Sequence, residues 1–357
     1  MDFQKERIFK GPGFAETLYI GTIDGKRCIR KASNPDARGF SRTALVREIR
    51  LLRNLHDDLK PYFPELIRTN LGDRDELSPD LPDVIYYDMP YYSPDDGWGT
   101  LSTLLTEGSL ERNEATHVIG EILDTAFTYF RFDTREPDPV YTETTMLHAM
   151  RDSLRWAASD VEFCGIMEGK NLRISGKRVK NIHEFKELFE DTEQMRRLLT
   201  PYRDRFLHGD FFPENILYNK KTGRWILLDP VSVRGVHRGD FVLDINKMGD
   251  WLSGELPALR MGLFTVDFAG NNVDFAIHNT AGKLEQLHRL GLFEWYRERL
   301  RNNEYADVFS SEPGWEHRYV FVKVFYSLCM LPLAEKSQAI ARYFLAIKAM
   351  DEWIGMI

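Results

Sequence analysis

Phe206-Leu-His-Gly-Asp-Phe-Phe-Pro-Glu-Asn-Ile-Leu217, followed by Trp225-Ile-Leu-Leu-Asp229, is the most informative stretch of the 357-residue chain. It has the form His-x-Asp-x4-Asn, then an apolar strand, then a second Asp. Phosphoryl transfer asks a protein for little covalent chemistry but for positioning and charge neutralisation. One carboxylate has to sit beside the acceptor hydroxyl and take its proton, a role that fits Asp210. A second carboxylate and an amide oxygen have to hold a hard cation such as Mg²⁺ against the phosphates, a role that fits Asp229 and Asn215. Apolar neighbours on both sides, Phe206 and Leu207, Ile216 and Leu217, and Ile226 to Leu228, give such a loop an anchor. Taken alone, the three fixed residues also suit an ordinary loop in which Asp210 and Asn215 cap turns.

Upstream, the sequence supplies what such a site needs. Gly11-Pro12-Gly13-Phe14-Ala15 precedes the first strand, so the amides around Gly11 and Gly13 are placed to cover phosphates. Phe14 to Ile23 and Lys26 to Ala32 read as strands joined at Asp24-Gly25, a hairpin signal because both residues tolerate positive φ. Within Cys28-Ile29-Arg30-Lys31 the two-residue strand period puts Lys31 on the face of Ile29 and Arg30 on the other. Leu45, Ile49, Leu52 and Leu55 follow helical spacing, which predicts a helix over 41–59 ended by Pro61 and Pro64, and Glu48 just precedes the stripe Ile49, Leu52 and Leu55. Val84 to Tyr87 reads as a further strand, leading to Met89-Pro90-Tyr91-Tyr92.

In this order the elements resemble the protein-kinase-like phosphotransferases, and within them the small-molecule branch of aminoglycoside phosphotransferases, choline kinases and related sugar kinases. The resemblance covers roughly 8–255 and is strongest over 207–248. His208-Gly209-Asp210 stands where protein kinases carry His-Arg-Asp, and Asp229 is followed by Pro230-Val231 instead of Phe-Gly. No Ala-Pro-Glu segment is found, and 137–200 intervene before the catalytic loop, where small-molecule kinases often carry extra helices. The resemblance implies that Lys31 reaches the α- and β-phosphates and that Glu48 orients Lys31 as an ion pair. It also implies a hinge at Met89, Tyr91 and Tyr92 meeting adenine. Pro90 has no N–H to donate there, which leaves Tyr91 or Tyr92 for the adenine edge. Arg238-Gly-Asp240-Phe-Val-Leu-Asp244 is similar to a family segment whose second Asp, here Asp244, buttresses the catalytic loop. His208 is expected to fix the loop and not to act as acid or base.

The expected fold is α+β and bilobal, protein-kinase-like, with a small β-rich N-lobe over 1–92 that binds nucleotide. A large, mainly helical C-lobe over 93–357 carries the catalytic loop, metal site and acceptor-binding helices. Helices are predicted over 113–132, 145–159, 284–299 and 317–354, with a small hairpin turning at Ser175-Gly176. The expected activity is transfer of the γ-phosphoryl group of ATP, with GTP as the alternative nucleotide, in the presence of Mg²⁺, to a hydroxyl of a small molecule. A sugar, aminosugar or aminoglycoside-like polyol is the first acceptor class and a choline-like amino alcohol the second. The rival readings are a catalytically idle nucleotide-binding regulator and a protein kinase.

Composition sets the outer limits. With 47 Lys and Arg against 55 Asp and Glu, the net charge of −8 argues against a protein whose main business is gripping nucleic-acid phosphate. Three cysteines, Cys28, Cys164 and Cys329, are too few and too scattered for a disulfide framework or a paired metal site. Nine histidines show no HExxH spacing, and there is neither a nucleophile elbow nor a P-loop. The longest greasy stretch, 319–333, is too short for a bilayer and carries Lys323, and the first residues lack the apolar run of a signal peptide. A cytoplasmic protein acting on a small molecule, with no nucleic-acid or membrane partner, is the expectation; the sequence does not speak to oligomeric state. Tyr319, Phe321, Val324, Phe325 and Leu328 read as core packing, and Trp251 and Glu255 as candidates to face an acceptor, with surface exposure the plainer reading for Glu255.

Overall fold

A computed structural model describes residues 3–9, 16–34, 40–132, 134–170, 172–232 and 235–357. The chain is α+β. A small antiparallel sheet with one helix comes first, and mainly helical structure follows.

Two units divide the chain, Met1–Thr103 with His208–His237, and Leu104–Leu207 with Arg238–Ile357. The first is built on a five-stranded antiparallel sheet. Its strands are β1 (Gln4–Phe9), β2 (Glu16–Ile23), β3 (Lys26–Ser33), β4 (Arg68–Thr69) and β5 (Tyr86–Pro90), in the order β1-β2-β3-β5-β4. Asp24 and Gly25, at φ 53° and 77°, make the tight turn between β2 and β3, where an αL pair matches the twist of the strands. The registers put Lys31 opposite Leu18 on one side and Tyr87 on the other. Helix α1 (Phe40–Asn54) lays Leu45, Val46, Ile49 and Leu52 inward, all buried. It stops at Asn54, well short of the prolines expected to end it, because His56 draws the chain into a turn by accepting from the amides of Leu59 and Lys60. The hinge strand likewise begins at Tyr86, two residues later than predicted.

A second, three-stranded sheet in the same unit joins β6 (Trp98–Thr100), β7 (Ile216–Asn219) and β8 (Trp225–Leu227), with β7 in the centre. Trp225 stacks on Tyr62 with ring centroids 4.5 Å apart, and Ile216, Ile226 and Leu227 are buried.

The second unit is organised by α2 (Arg112–Arg131), α3 (Val242–Leu252), α4 (Leu292–Leu300), α5 (Trp315–Cys329) and α6 (Lys336–Ile354). The predicted helix over 284–299 is two helices, broken at Gly291 with φ 58°. The span 317–354 is also two, separated by the single turn Leu331–Leu333. The hairpin at Ser175-Gly176 is present, with both residues at positive φ, and it joins a four-stranded sheet. That sheet takes the hairpin Phe264–Ala269 and Asn272–Ile277, which the sequence analysis did not identify.

The polar core of this unit is an ion network. Arg318 donates to Asp240 at 2.7 Å and to Glu312 at 2.9 Å, all three being buried. Arg205 reaches Glu312 and also donates to the Phe130 carbonyl at 2.7 Å. Asp244 on α3 is buried and accepts from the Tyr129 hydroxyl at 3.3 Å. Among the described residues no helix is long and apolar enough to cross a membrane.

Candidate active site

The sequence-predicted polar residues Lys31, Glu48, Asp210, Asn215 and Asp229 all lie in the first unit. The hairpin of β7 and β8 does most of the positioning. Ile216 pairs with Leu227, and just before that pair the Leu228 amide donates to the Asn215 carbonyl at 2.7 Å. Asn215 therefore stands beside Asp229, fourteen positions further along the sequence.

On the approach to β7, the Asn215 side chain turns back on the loop. Its Nδ2 donates to the Asp210 carbonyl at 3.0 Å and to Asp210 Oδ2 at 2.9 Å. With the amide nitrogen so committed, Oδ1 is the oxygen available as a cation ligand. His208 is buried, its Nδ1 accepts from the Asp210 amide at 3.3 Å, and its ring lies between Phe63 and Phe211.

Gly209 has a clear reason to be glycine. Its φ is 81°, and a Cβ there would stand 1.9 Å from the Val231 carbonyl oxygen. That approach exists because the Val231 amide donates to the His208 carbonyl at 2.8 Å, lacing the loop to the segment after Asp229. A larger residue between the His and the Asp would break the lacing. Asp229 itself has φ 54°, a left-handed conformation that a non-glycine residue adopts only where its surroundings hold it there.

Lys31 is the centre of charge. Its Nζ lies 2.7 Å from Glu48 Oε2 and 2.7 Å from Asp229 Oδ1. Burial works to lower the Lys31 ammonium, but Asp229 and Glu48 outweigh it and hold its pKa well above the ordinary lysine value. The Asp229 carboxyl is half exposed, unlike its two partners. Burial raises it, and the Lys31 charge and hydrogen bond, with His208, bring it below the usual carboxylate range. Glu48 moves the other way: burial pushes its carboxyl up to about 7 against the pull of Lys31. Arg30, the alternative to Lys31, faces elsewhere and forms a two-pronged pair with buried Asp88 at 2.8 and 3.0 Å.

Three features were missed in the sequence. Tyr87 donates its hydroxyl to Glu48 Oε1 at 2.8 Å, so Glu48 is held from both sides. Glu16, at the start of β2, feels Lys31 and Asp229, and burial raises its pKa. Asp88 ties Arg30 of β3 and Arg68 of β4 to the strand that leads into the hinge. Alternation along β5 does put Tyr87 and Asp88 on opposite faces, but strand register with β3 is what assigns their partners.

At the hinge, Met89 is buried in β5. The Tyr91 amide already donates to the Arg27 carbonyl at 3.4 Å, and the Arg27 guanidinium lies over the Tyr91 ring. The Tyr92 ring meets Trp98 edge-on with centroids 4.9 Å apart. Gly11 and Gly13 lie outside the described residues. In the second unit, Trp251 is buried in the core, and Glu255, expected at the surface, is ion-paired with Lys323. The physical reason is that Lys323 on α5, itself mostly buried, needs carboxylate partners.

Among the described residues no three His, Cys, Asp or Glu side chains converge as a metal cluster. A donor set of one carboxylate and one amide oxygen suits Mg²⁺, which takes few protein ligands and is completed by phosphate and water oxygens.

The sequence matches no protein-family model and no curated protein. Solved structures do match. The choline kinase LicA of Streptococcus pneumoniae is similar over 98% of this chain and 94% of its own, with a TM-score of 0.51 and 12% identity. A candidate aminoglycoside phosphotransferase of Ralstonia eutropha gives a TM-score of 0.52 over 98% and 92%, also at 12% identity. A thermostable mutant of the aminoglycoside phosphotransferase APH(4)-Ia, in ternary complex with AMP-PNP and hygromycin B, gives 0.50 over 97% and 95%, at 12%. The fold is the protein-kinase-like fold, in the form these small-molecule kinases share.

Proposed function

We propose that this protein is an ATP- and Mg²⁺-dependent phosphotransferase that moves the γ-phosphoryl group to a hydroxyl of a small molecule. The observation that carries this reading is the single cluster in which Lys31 joins Glu48 and Asp229 while Asn215 joins Asp210. A fold resembling that of a choline kinase and of an aminoglycoside phosphotransferase holding AMP-PNP and hygromycin B supports it. In this reading 1–92 form the nucleotide-binding lobe, and 93–357 carry the catalytic loop, the metal site and the acceptor-binding helices.

Mg·ATP, when bound, supplies the phosphoryl group and neutralises part of its charge. The chain's own residues do the rest. Lys31, fully charged and fixed by Glu48, binds phosphate oxygens. The Asp229 carboxylate and the Asn215 amide oxygen hold the cation. Asp210 receives the acceptor's hydroxyl proton as the new O–P bond forms and the bond to the ADP oxygen breaks. Asn215 Nδ2 and the buried His208 keep the Asp210 carboxylate turned to that task. Met89, Tyr91 and Tyr92 border the adenine. The Tyr91 amide is shared with Arg27, so the Tyr92 amide is the hinge donor of this reading. The cover that Gly11 and Gly13 give the phosphates belongs to the same proposal.

A sugar, aminosugar or aminoglycoside-like polyol is the first acceptor class and a choline-like amino alcohol the second. The experiment is ADP release from Mg·ATP against a panel of sugars, amino sugars, aminoglycosides and amino alcohols, with the acceptor-free rate subtracted. Acceptor-dependent release supports the reading. Absence of any nucleotide binding would contradict it.

A further inference from the structure

A sheet edge with open backbone is an adhesive surface, because each unpaired N–H and C=O is a template for another strand. The four-stranded sheet of the second unit has two edges, and they are built differently. One is Lys177–Arg178, short and cationic, with Lys177 ion-paired to Asp351. The other is the six-residue strand Phe264–Ala269. It carries no proline, lysine or arginine, and its register with Asn272–Ile277 runs without a bulge. By contrast β1, the long edge of the first unit, has both a bulge and the charged run Lys5-Glu6-Arg7.

Register decides which backbone groups of this edge are open. The Ser175 amide donates to the Val273 carbonyl at 2.8 Å, so Val273 and Phe275 turn their backbone groups away from Phe264–Ala269. Asp274 and Ala276 turn theirs toward it and meet Asp267 and Thr265. The groups of Phe264, Val266 and Phe268 therefore point out of the sheet, and among the described residues no turn, loop or side chain bonds to them. The side chains alternate between the two faces. Phe268 and, on the neighbouring strand, Phe275 rest on Phe344 of α6, with ring centroids 5.6 and 6.0 Å away. Thr265 and Asp267 are exposed on the opposite face. Phe268 is 45% exposed although it lies on the packed face, because no strand stands beyond it.

We propose that this edge pairs, antiparallel and about a two-fold axis, with the same strand of a second copy of the chain. Centred on Val266, the pairing brings each outward N–H of one copy to a carbonyl of the other. Phe264 then lies opposite the second copy's Phe268, and Val266 opposite Val266, which covers the exposed ring. On the outer face Thr265 lies opposite Asp267, hydroxyl donor to carboxylate. Centred instead on Asp267, the pairing sets two carboxylates against each other and leaves Phe264 unmatched. Centred on Thr265, it leaves Phe268 opposite Gly262. One register thus satisfies hydrogen bonding, apolar contact and charge together. It consumes the open edge, and the short cationic edge offers no continuation, so assembly ends at two copies.

The test is the mass of the full chain by sedimentation equilibrium over about 1–200 µM. A strand-edge interface is small, so a reversible equilibrium between one and two chains is expected in this range. Val266→Pro removes an outward N–H and no bond to the neighbouring strand, a change that an edge strand accepts. It should leave single chains only, with a Tm near that of wild type. Thr265→Asp alters an exposed side chain and serves should Val266→Pro fail to fold. It sets carboxylate against carboxylate twice across the two-fold axis, and should weaken association about fivefold or more at low salt. Thr265→Lys sets an ammonium against Asp267 and should tighten association by about as much. A single-chain mass at every concentration would overturn the proposal, as would assemblies larger than two. A dimer indifferent to Val266→Pro, or one that responds alike to Thr265→Asp and Thr265→Lys, would overturn it as well.

Discussion

The Tyr87 hydroxyl donates to Glu48 Oε1 at 2.8 Å while Lys31 Nζ holds Oε2 at 2.7 Å, so one buried carboxylate is clamped between a phenol on β5 and an ammonium on β3. The two strands pair with Lys31 directly opposite Tyr87, and α1 brings Glu48 to both. Whatever Lys31 binds, its direction is set by this arrangement.

The clamp gives stability a pH dependence of known sign. Glu48 has a folded pKa of about 7 against an ordinary value of 4.5, so between those values the folded chain keeps a proton that the unfolded chain has released. Stability from this group is present below pH 4.5 and is lost as pH rises through 7, by on the order of 3 kcal/mol. Lys31, raised above the ordinary lysine value, does not titrate in that window. Denaturant unfolding of wild type and Glu48→Gln between pH 4.5 and 8 should show the wild type losing ground to the variant. Parallel curves would remove the assignment.

Tyr87→Phe takes one donor from the carboxylate and leaves the packing in place. The Glu48 carboxyl should rise further, and the pH at which Mg·ATP affinity reaches half its plateau should move up by about half a unit or more. An unchanged profile with a lowered Tm would reduce Tyr87 to a packing residue.

Gly209 and Gly223 both have positive φ, 81° and 71°, but only at Gly209 does a Cβ strike backbone. Gly223→Ala is expected to cost about 1 kcal/mol from conformation alone. Gly209→Ala has to part the loop from Val231 and should cost more than about 3 kcal/mol. Similar unfolding midpoints for the two would show that the lacing is not needed.

Arg318→Leu leaves Asp240 and Glu312 buried without their main counter-charge, a change that costs about 3–5 kcal/mol in other folds. A loss below 1 kcal/mol by denaturant titration would mean the two acids are solvated in a way the buried network does not provide.

Asp229→Ala removes the proposed cation ligand and one observed partner of Lys31. Nucleotide binding should lose its dependence on Mg²⁺, with the affinity measured at saturating Mg²⁺ falling to that measured in chelator. Retention of the Mg²⁺ effect would assign the metal elsewhere.

Much of this was legible in the sequence because it is local. The spacing from His208 to Asn215 and the apolar run before Asp229 sit within one loop and one hairpin, and the Asp24-Gly25 turn declares the pairing of β2 with β3 by its chemistry, whereas β1, which precedes the segment read as leading into the first strand, was not seen. The edges of elements were harder. Helix α1 stops at Asn54 through a turn around His56, and no strong breaker marks that point. The sheet formed by Phe264–Ala269 and Asn272–Ile277 pairs in parallel with a strand near residue 173, a partner that sequence periodicity does not reveal. Tyr87 and the Lys323 cluster were missed for the same reason. Their roles come from registers and helix contacts between segments far apart in the chain, and each residue by itself reads as ordinary strand or helix composition.

The most direct measurement pairs two readouts on Asp210→Asn: Mg·ATP affinity by calorimetry, and transfer to the acceptor found in the panel, followed as ADP and phosphate ester together. The account predicts that ATP affinity stays within about threefold of wild type while transfer falls by two orders of magnitude or more. Undiminished transfer in the variant would contradict it, because the group proposed to receive the hydroxyl proton would then be dispensable.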